Sequence, residues 1–203
     1  MLNHHHHAMN HLTLTRHTPQ HSPSDIRRCV IAGRLHLVVY DSHRQRVCQR
    51  RACNTVMRSG AELIAALFSG ELATPINSIG VGIDNTPSSP PYEATTLTTT
   101  FPDGTPALER AAVALEPGAL TAAVVANEFK VRVSVRAVIP ATHALSTNPA
   151  DPRVLISEAA LGVLAEDGNS LAQLYNRVVF EPIPKTDDHE ITLYWEIDFP
   201  YGA

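Results

Sequence analysis

The chain has 203 residues, 44% of them hydrophobic and 18% charged, with a formal net charge of −4. That balance describes a soluble globular chain with enough apolar material for its own core, so neither disulfides nor metals are needed to hold it. Mild acidity excludes an electrostatic case for nucleic acid or an anionic membrane as partner, and no apolar run approaches the ~20 residues that cross a bilayer.

Met1 to Ser24 carry seven of the eleven histidines and no apolar period. A segment of that composition buries too little surface to offset its ordering entropy. Residues 1–25 are therefore expected to form a flexible tail, or one ordered against a neighbouring subunit, ahead of a single β-rich domain over residues 26–203. The tract His4 to His7 could bind a transition metal, as any such tract can, but an expression artefact or a polar tail is the expected account. The N-terminus lacks the apolar core of a secretory signal, and intracellular synthesis is the expectation.

Arginines are concentrated early, at Arg27, Arg28, Arg34, Arg44, Arg46, Arg50, Arg51 and Arg58, and are read as solvated hairpin charges. Arg34 to Tyr40 and Arg46 to Arg50 flank Asp41-Ser42-His43-Arg44, which predicts a first hairpin. Cys29, Cys48 and Cys53 fall near His36 and His43, but a single C-x4-C spacing is a poor zinc pattern, so free thiols are expected. Ser59-Gly60-Ala61-Glu62 has the form of a capping box. Ala61, Ile64, Ala65, Leu67 and Phe68 follow at helical spacing, with Gly70 placed for a left-handed C-cap. One short amphipathic helix over about 59–69 is predicted.

Ile76 to Gly82 reads as a strand with two glycines, and no helix follows Gly80-x-Gly82, so a phosphate-binding turn is excluded. The loop Asn85 to Tyr92 is rich in Pro and Ser, hence stiff and exposed. Pro87, Pro90, Pro91 and Tyr92 are its candidate contact residues. Ala94 to Phe101 reads as a Thr-rich strand, and Ala107 to Val125 as strand, turn and strand around Pro117-Gly118. From Glu128 to Ile139, Phe129, Val131, Val133, Val135 and Ala137 alternate with Lys130, Arg132, Ser134 and Arg136. One face of this strand is buried, and the other displays cations, so Arg132 and Arg136 are candidate interface residues.

The last third predicts an antiparallel meander: Val154 to Leu164, a turn at Asp167-Gly168, Leu171 to Phe180, Pro182 to Lys185, and Glu190 to Phe199. In the final strand Trp195 shares a face with Ile191, Leu193, Ile197 and Phe199, which places it in the core. Tyr194 lies opposite, beside Glu196 and Asp198, and is the better contact residue, with Tyr201 just beyond. Glu158 sits inside an apolar strand and must be paired; Arg177 on the neighbouring strand is its expected partner. Asp187-Asp188-His189-Glu190 is the densest titratable cluster and is read as a solvated turn. The sequence holds no G-x-S-x-G elbow, H-E-x-x-H, P-loop or paired-Cys box, so no catalytic, cofactor or metal residue is assigned.

The order of these segments resembles something known. Asn54 to Gly60 leads into an alanine-rich helix, and I-x-x-I-G-V-G follows at Ile76 to Gly82. I-x-E-x-A-L at Ile156 to Leu161, R-x-x-F-x-P-x-x-K at Arg177 to Lys185 and W-x-I-x-F at Trp195 to Phe199 close the chain. Over roughly Asn54 to Phe199 the pattern is similar to structural proteins of tailed bacteriophages and related contractile particles; the His-rich tail and the Arg/Cys-rich hairpin depart from it. The resemblance implies a mainly β fold, an antiparallel sandwich or meander, in a noncatalytic virion subunit of a tail, baseplate, collar or fibre attachment. That subunit would be assembled in the host cytoplasm, pairing with other structural proteins and with its own copies. Two alternatives are a capsid-decorating or carbohydrate- or receptor-binding β-sandwich, marked by an aromatic-lined groove, and an enzyme built around Asp188, His189 and Glu158.

Overall fold

The computed structural model describes residues 31–71, 74–86, 90 and 92–201. Strands make up 53% of these and helical turns 9%, so the fold is mainly β, a curled antiparallel sheet with one helix. The strands are β1 (Ala32–Tyr40), β2 (Arg46–Val56), β3 (Ser78–Gly82), β4 (Leu108–Glu109), β5 (Ala112–Ala114), β6 (Leu120–Val125), β7 (Lys130–Ile139), β8 (Leu145–Ser146), β9 (Val154–Leu164), β10 (Leu171–Lys185) and β11 (Glu190–Pro200), with the helix α1 (Arg58–Ser69) between β2 and β3. The expected tail over residues 1–25, including His4 to His7, lies outside the described residues, as do Cys29, Pro87 and Pro91.

Nine strands form one sheet in the order β5-β3-β9-β10-β2-β1-β11-β7-β6, while β4 and β8 form a separate short ribbon. The sheet doubles over because β2 serves both halves. Most of β2 pairs with β1, and only Thr55 and Val56 at its end pair with Arg177 and Asn176 of β10. Strand alternation then directs Leu35, Leu37 and Val39 of β1 and Leu193, Trp195 and Ile197 of β11 toward Ile79 and Val81 of β3 and Ile156, Leu161 and Val178 of the opposing half. One apolar cluster joins the two layers, with Trp195 1% exposed. Its burial agrees with the period-two reading of the last strand.

Four local expectations are corrected. First, β10 and β11 follow each other in sequence but do not pair: β10 lies between β9 and β2, and β11 between β1 and β7. The closing meander is thus a hairpin, β9–β10, plus a strand that crosses to the other layer. Pro182 to Lys185 continues β10 past a register break between Val179 and Ile183. Second, Ala94 to Phe101 is irregular apart from an isolated bridge from Thr100 to Pro106. It has thr-rich propensity but no partner strand, and propensity alone does not make a ladder.

Third, the capping box does not form. The N-cap is Met57, and the Ser59 hydroxyl instead donates to the Leu174 carbonyl at 2.7 Å. The first N–H groups of the helix are met by tertiary backbone, Met57 N–H donating to the Tyr175 carbonyl and Arg58 N–H to the Tyr92 carbonyl, both at 3.0 Å. Fourth, the buried helical residues are Gly60 and Leu63, whereas Ala61, Ala65, Leu67 and Phe68 are exposed, Phe68 by 89%. Gly60 sets this face, because a Cβ there would stand 2.0 Å from the Tyr175 carbonyl oxygen, so only glycine lets α1 lie this close on β10. Gly70 does close the helix in the left-handed region, at φ 74°.

Candidate functional site

The five-stranded half presents an outer face on which pairing lines up four side chains in a row. Arg51 of β2 stands opposite His36 of β1, His36 opposite Tyr194 of β11, and Tyr194 opposite Arg136 of β7. The His36 and Tyr194 rings stack with centroids 6.0 Å apart, and the Arg136 guanidinium lies 6.0 Å from the Tyr194 ring centre. Such a cation over an aromatic face is attracted by the ring quadrupole. Tyr194 separates two hollows: one of about 460 Å³ lined by Arg34, His36, Arg51 and Cys53, and one of about 270 Å³ lined by Thr121, Ser134 and Arg136.

Two of the residues expected at an interface, Tyr194 and Arg136, are therefore neighbours on an exposed face. Arg132 is not free in the same way. Its Nε donates to Asp198 at 2.7 Å, and Asp198 also accepts from Lys130 at 2.8 Å and from Arg34 at 3.2 Å. The hydrogen bonds from Arg132 and Lys130 hold the Asp198 carboxyl down at about 2, so this end of the sheet is clamped by charge. Tyr201 sits beside it, edge-on to Phe129 at 6.3 Å, its N–H donating to the Phe129 carbonyl. Phe129 itself is 63% exposed and holds φ at 49°, a conformation uncommon outside glycine. From the proline loop, Tyr92 is exposed and lends its carbonyl to α1, while the Pro90 carbonyl accepts from Glu93 N–H.

The strand expected after the Pro117-Gly118 turn is β6, and it forms one edge of the nine-stranded sheet. Arg136 N–H donates to the Ala119 carbonyl at 2.9 Å, which fixes the phase of the β6–β7 ladder. Hydrogen-bonded and non-bonded pairs alternate in antiparallel sheets, so Thr121, Ala123 and Val125 bond inward to β7, while Leu120, Ala122 and Val124 aim their N–H and C=O groups away from the sheet. The strand reads Leu-Thr-Ala-Ala-Val-Val, without a charge or a proline, and Leu120 and Val124 are 41% and 66% exposed. Beneath it an apolar groove of about 340 Å³ runs between the sheet and the helix, lined by Leu63, Ile64, Leu67, Leu120, Val133 and Phe199 among others. The signal available in sequence was the run without charge; its edge position was not readable.

The interior charges have structural partners. Arg177 Nε donates to Glu158 Oε2 at 2.5 Å, as the strand reading expected, and Thr98 N–H donates to Oε1 at 2.6 Å. Arg177 also reaches Asp84 at 3.3 Å and the Thr86 carbonyl at 3.4 Å. Burial pushes the Glu158 carboxyl up, while Thr98 N–H and Arg177 pull it back. A Cβ at Gly82 would stand 2.3 Å from Glu158 Oε1, so the glycine there makes room for the carboxylate. Lys185 is fully buried, donating to the Ala141 and Thr186 carbonyls at 3.0 and 2.7 Å; burial brings its pKa down to about 8.

These groups tie the irregular stretches 83–86 and 92–107 and the β7–β9 connection to the sheet. Glu158 does not meet Asp188 or His189, which occupy the turn between β10 and β11, so the three do not form one site. Among the described residues no cluster of three His, Cys, Asp or Glu side chains is arranged to hold a metal. Cys48 packs against the core and Cys53 lines the outer hollow, on opposite faces of β2. No helix among the described residues is long and apolar enough to cross a membrane. The chain matches no known family model, no curated protein and no solved structure.

Proposed function

We propose that this chain is a noncatalytic structural subunit of a phage tail or tail-like particle, assembling through protein–protein contacts as an adaptor, baseplate, collar or fibre-attachment component. The observation that carries the assembly role is β6, an uncharged, exposed edge strand above an apolar groove. Sheet proteins that remain alone blunt such edges with charge, proline or a covering element, and an edge left open is a template for another chain. The strand signatures from Asn54 to Phe199 supply the particle, and the exposed Tyr194–Arg136 face offers a second contact surface. Tyrosine and arginine together are frequent anchors of protein interfaces.

The test is composition. Particles purified from the producing host and freed of soluble protein are expected to contain this chain by mass spectrometry, at a fixed ratio to the other subunits. A chain recovered only from the soluble extract, with particles complete without it, overturns the reading. A receptor- or carbohydrate-binding module is the second reading, and the hollow of about 460 Å³ beside Tyr194 favours it. Binding of the monomeric chain to a glycan, lost in Tyr194→Ala, would establish it instead.

A further inference from the structure

We infer that β6 pairs with β6 of a second copy of this chain, antiparallel about a two-fold axis through Ala122, making one continuous sheet across the dimer. The inference rests on the reading of β6 as an assembly surface and names what covers it. The outward-facing backbone groups belong to Leu120, Ala122 and Val124. Centring the axis on Ala122 sets Leu120 against the copy's Val124, Ala122 against the copy's Ala122, and Val124 against the copy's Leu120. In that register every outward N–H and C=O of the strand gains a partner. Shifting the axis by one residue to either side leaves one end of the strand unmatched within the strand.

The side chains agree with the backbone. Leu120, Ala122 and Val124 share the concave face with Val135, Val133 and Val131 of β7. The pairing therefore places leucine beside valine across the axis and covers large apolar side chains that the isolated chain leaves exposed on this strand. Cross-strand pairs of apolar side chains are the stabilising unit of such a ladder. No lysine, glutamate or proline within β6 opposes it.

The other end of the sheet explains why the copy contributes β6 and not a different edge. β5 is three residues long, and its Ala112 N–H is already donated to the Asn169 carbonyl at 2.9 Å. A head-to-tail ring joining β6 to the next copy's β5 has little ladder to use. An isologous contact closes at two copies, so the product is a dimer and not a filament.

The experiment uses the full chain with Cys29, Cys48 and Cys53 changed to serine. Directly opposed residues of a hydrogen-bonded antiparallel pair have Cα atoms about 5.5 Å apart, within the span of a disulfide. Ala122→Cys is expected to give a disulfide-linked species of twofold mass on mild oxidation, whereas Ala123→Cys, off the axis and on the opposite face, is expected to form no cross-link. In parallel, Val124→Lys in the unmodified chain is expected to halve the mass seen by sedimentation with an unchanged circular dichroism spectrum. Equal cross-linking at positions 122 and 123, no cross-linking at 122, or a dimer untouched by Val124→Lys overturns the pairing. A chain that remains monomeric yet is found in particles refutes the two-fold contact while leaving the particle reading in place; a cross-linked dimer absent from particles does the reverse.

Discussion

β5 and β6 end the same sheet, and they are finished in opposite ways. At β5 the edge is three residues long, and its Ala112 N–H bonds to the Asn169 carbonyl. Nearby, β3, β9 and β10 enclose the buried pair Glu158–Arg177, and Gly82 is small enough to admit the carboxylate. At β6 the edge is six residues long, uncharged and exposed, and the groove below it is lined by apolar side chains. One end is completed by the chain itself, and the other is left for company. An edge's chemistry thus separates a boundary that the fold has closed from one that it presents.

The sharpest way to break the closed end is to remove one partner of its buried ion pair. Glu158→Ala leaves the Arg177 guanidinium uncompensated and should cost about 3–5 kcal/mol in denaturant unfolding, with Glu158→Leu/Arg177→Leu recovering much of the loss. A smaller effect is expected where α1 touches β10. Gly60→Ala forces a methyl group against the Tyr175 carbonyl and should cost about 1–3 kcal/mol by the same assay, the strain of an overpacked contact.

Lys185 gives the closed half a pH signature. Its folded-state pKa of about 8 lies below the ordinary 10.5, so the native state sheds this proton before the unfolded chain does. Stability should therefore rise with pH from about 8 to 10.5, a gain absent below that window. Lys185→Met should flatten the curve there, as read by unfolding midpoints across the range. The smallest stability change belongs to the open end. Val124→Lys places a charge on an exposed strand and should alter unfolding free energy by no more than about 0.5 kcal/mol, while association measured by sedimentation is lost.

The sequence makes most of the ladder legible where one side chain in two must be buried. The alternation from Val133 to Ala137 and the inward set of Trp195, Leu193 and Ile197 are of this kind, and both end in or against the core, whereas Phe129, read as part of the same buried face, is exposed. Glu158 was readable for the complementary reason: a carboxylate in an apolar strand demands a partner, and Arg177 was the nearest cation on the next strand. Pairing order was less accessible. Nothing in β10 or β11 states that β2 and β1 come between them, because backbone hydrogen bonding is blind to sequence. The capping Ser59 was read locally, yet Leu174 offers its hydroxyl a tertiary acceptor. The exposed helix face and the edge position of β6 were missed for a single reason: apolar residues at regular spacing are expected to be covered, and the described residues do not cover them.

Hydrogen exchange at the β6 amides measures the central claim most directly. Thr121, Ala123 and Val125 bond to β7 and should exchange slowly at every protein concentration, serving as the internal reference. The outward amides of Leu120, Ala122 and Val124 should exchange fast in dilute protein and become protected, together, as concentration rises or when the chain is incorporated into particles. Exchange at these three positions that is equally fast at all concentrations and in the assembled state would contradict the account, because β6 would then be an edge that nothing covers.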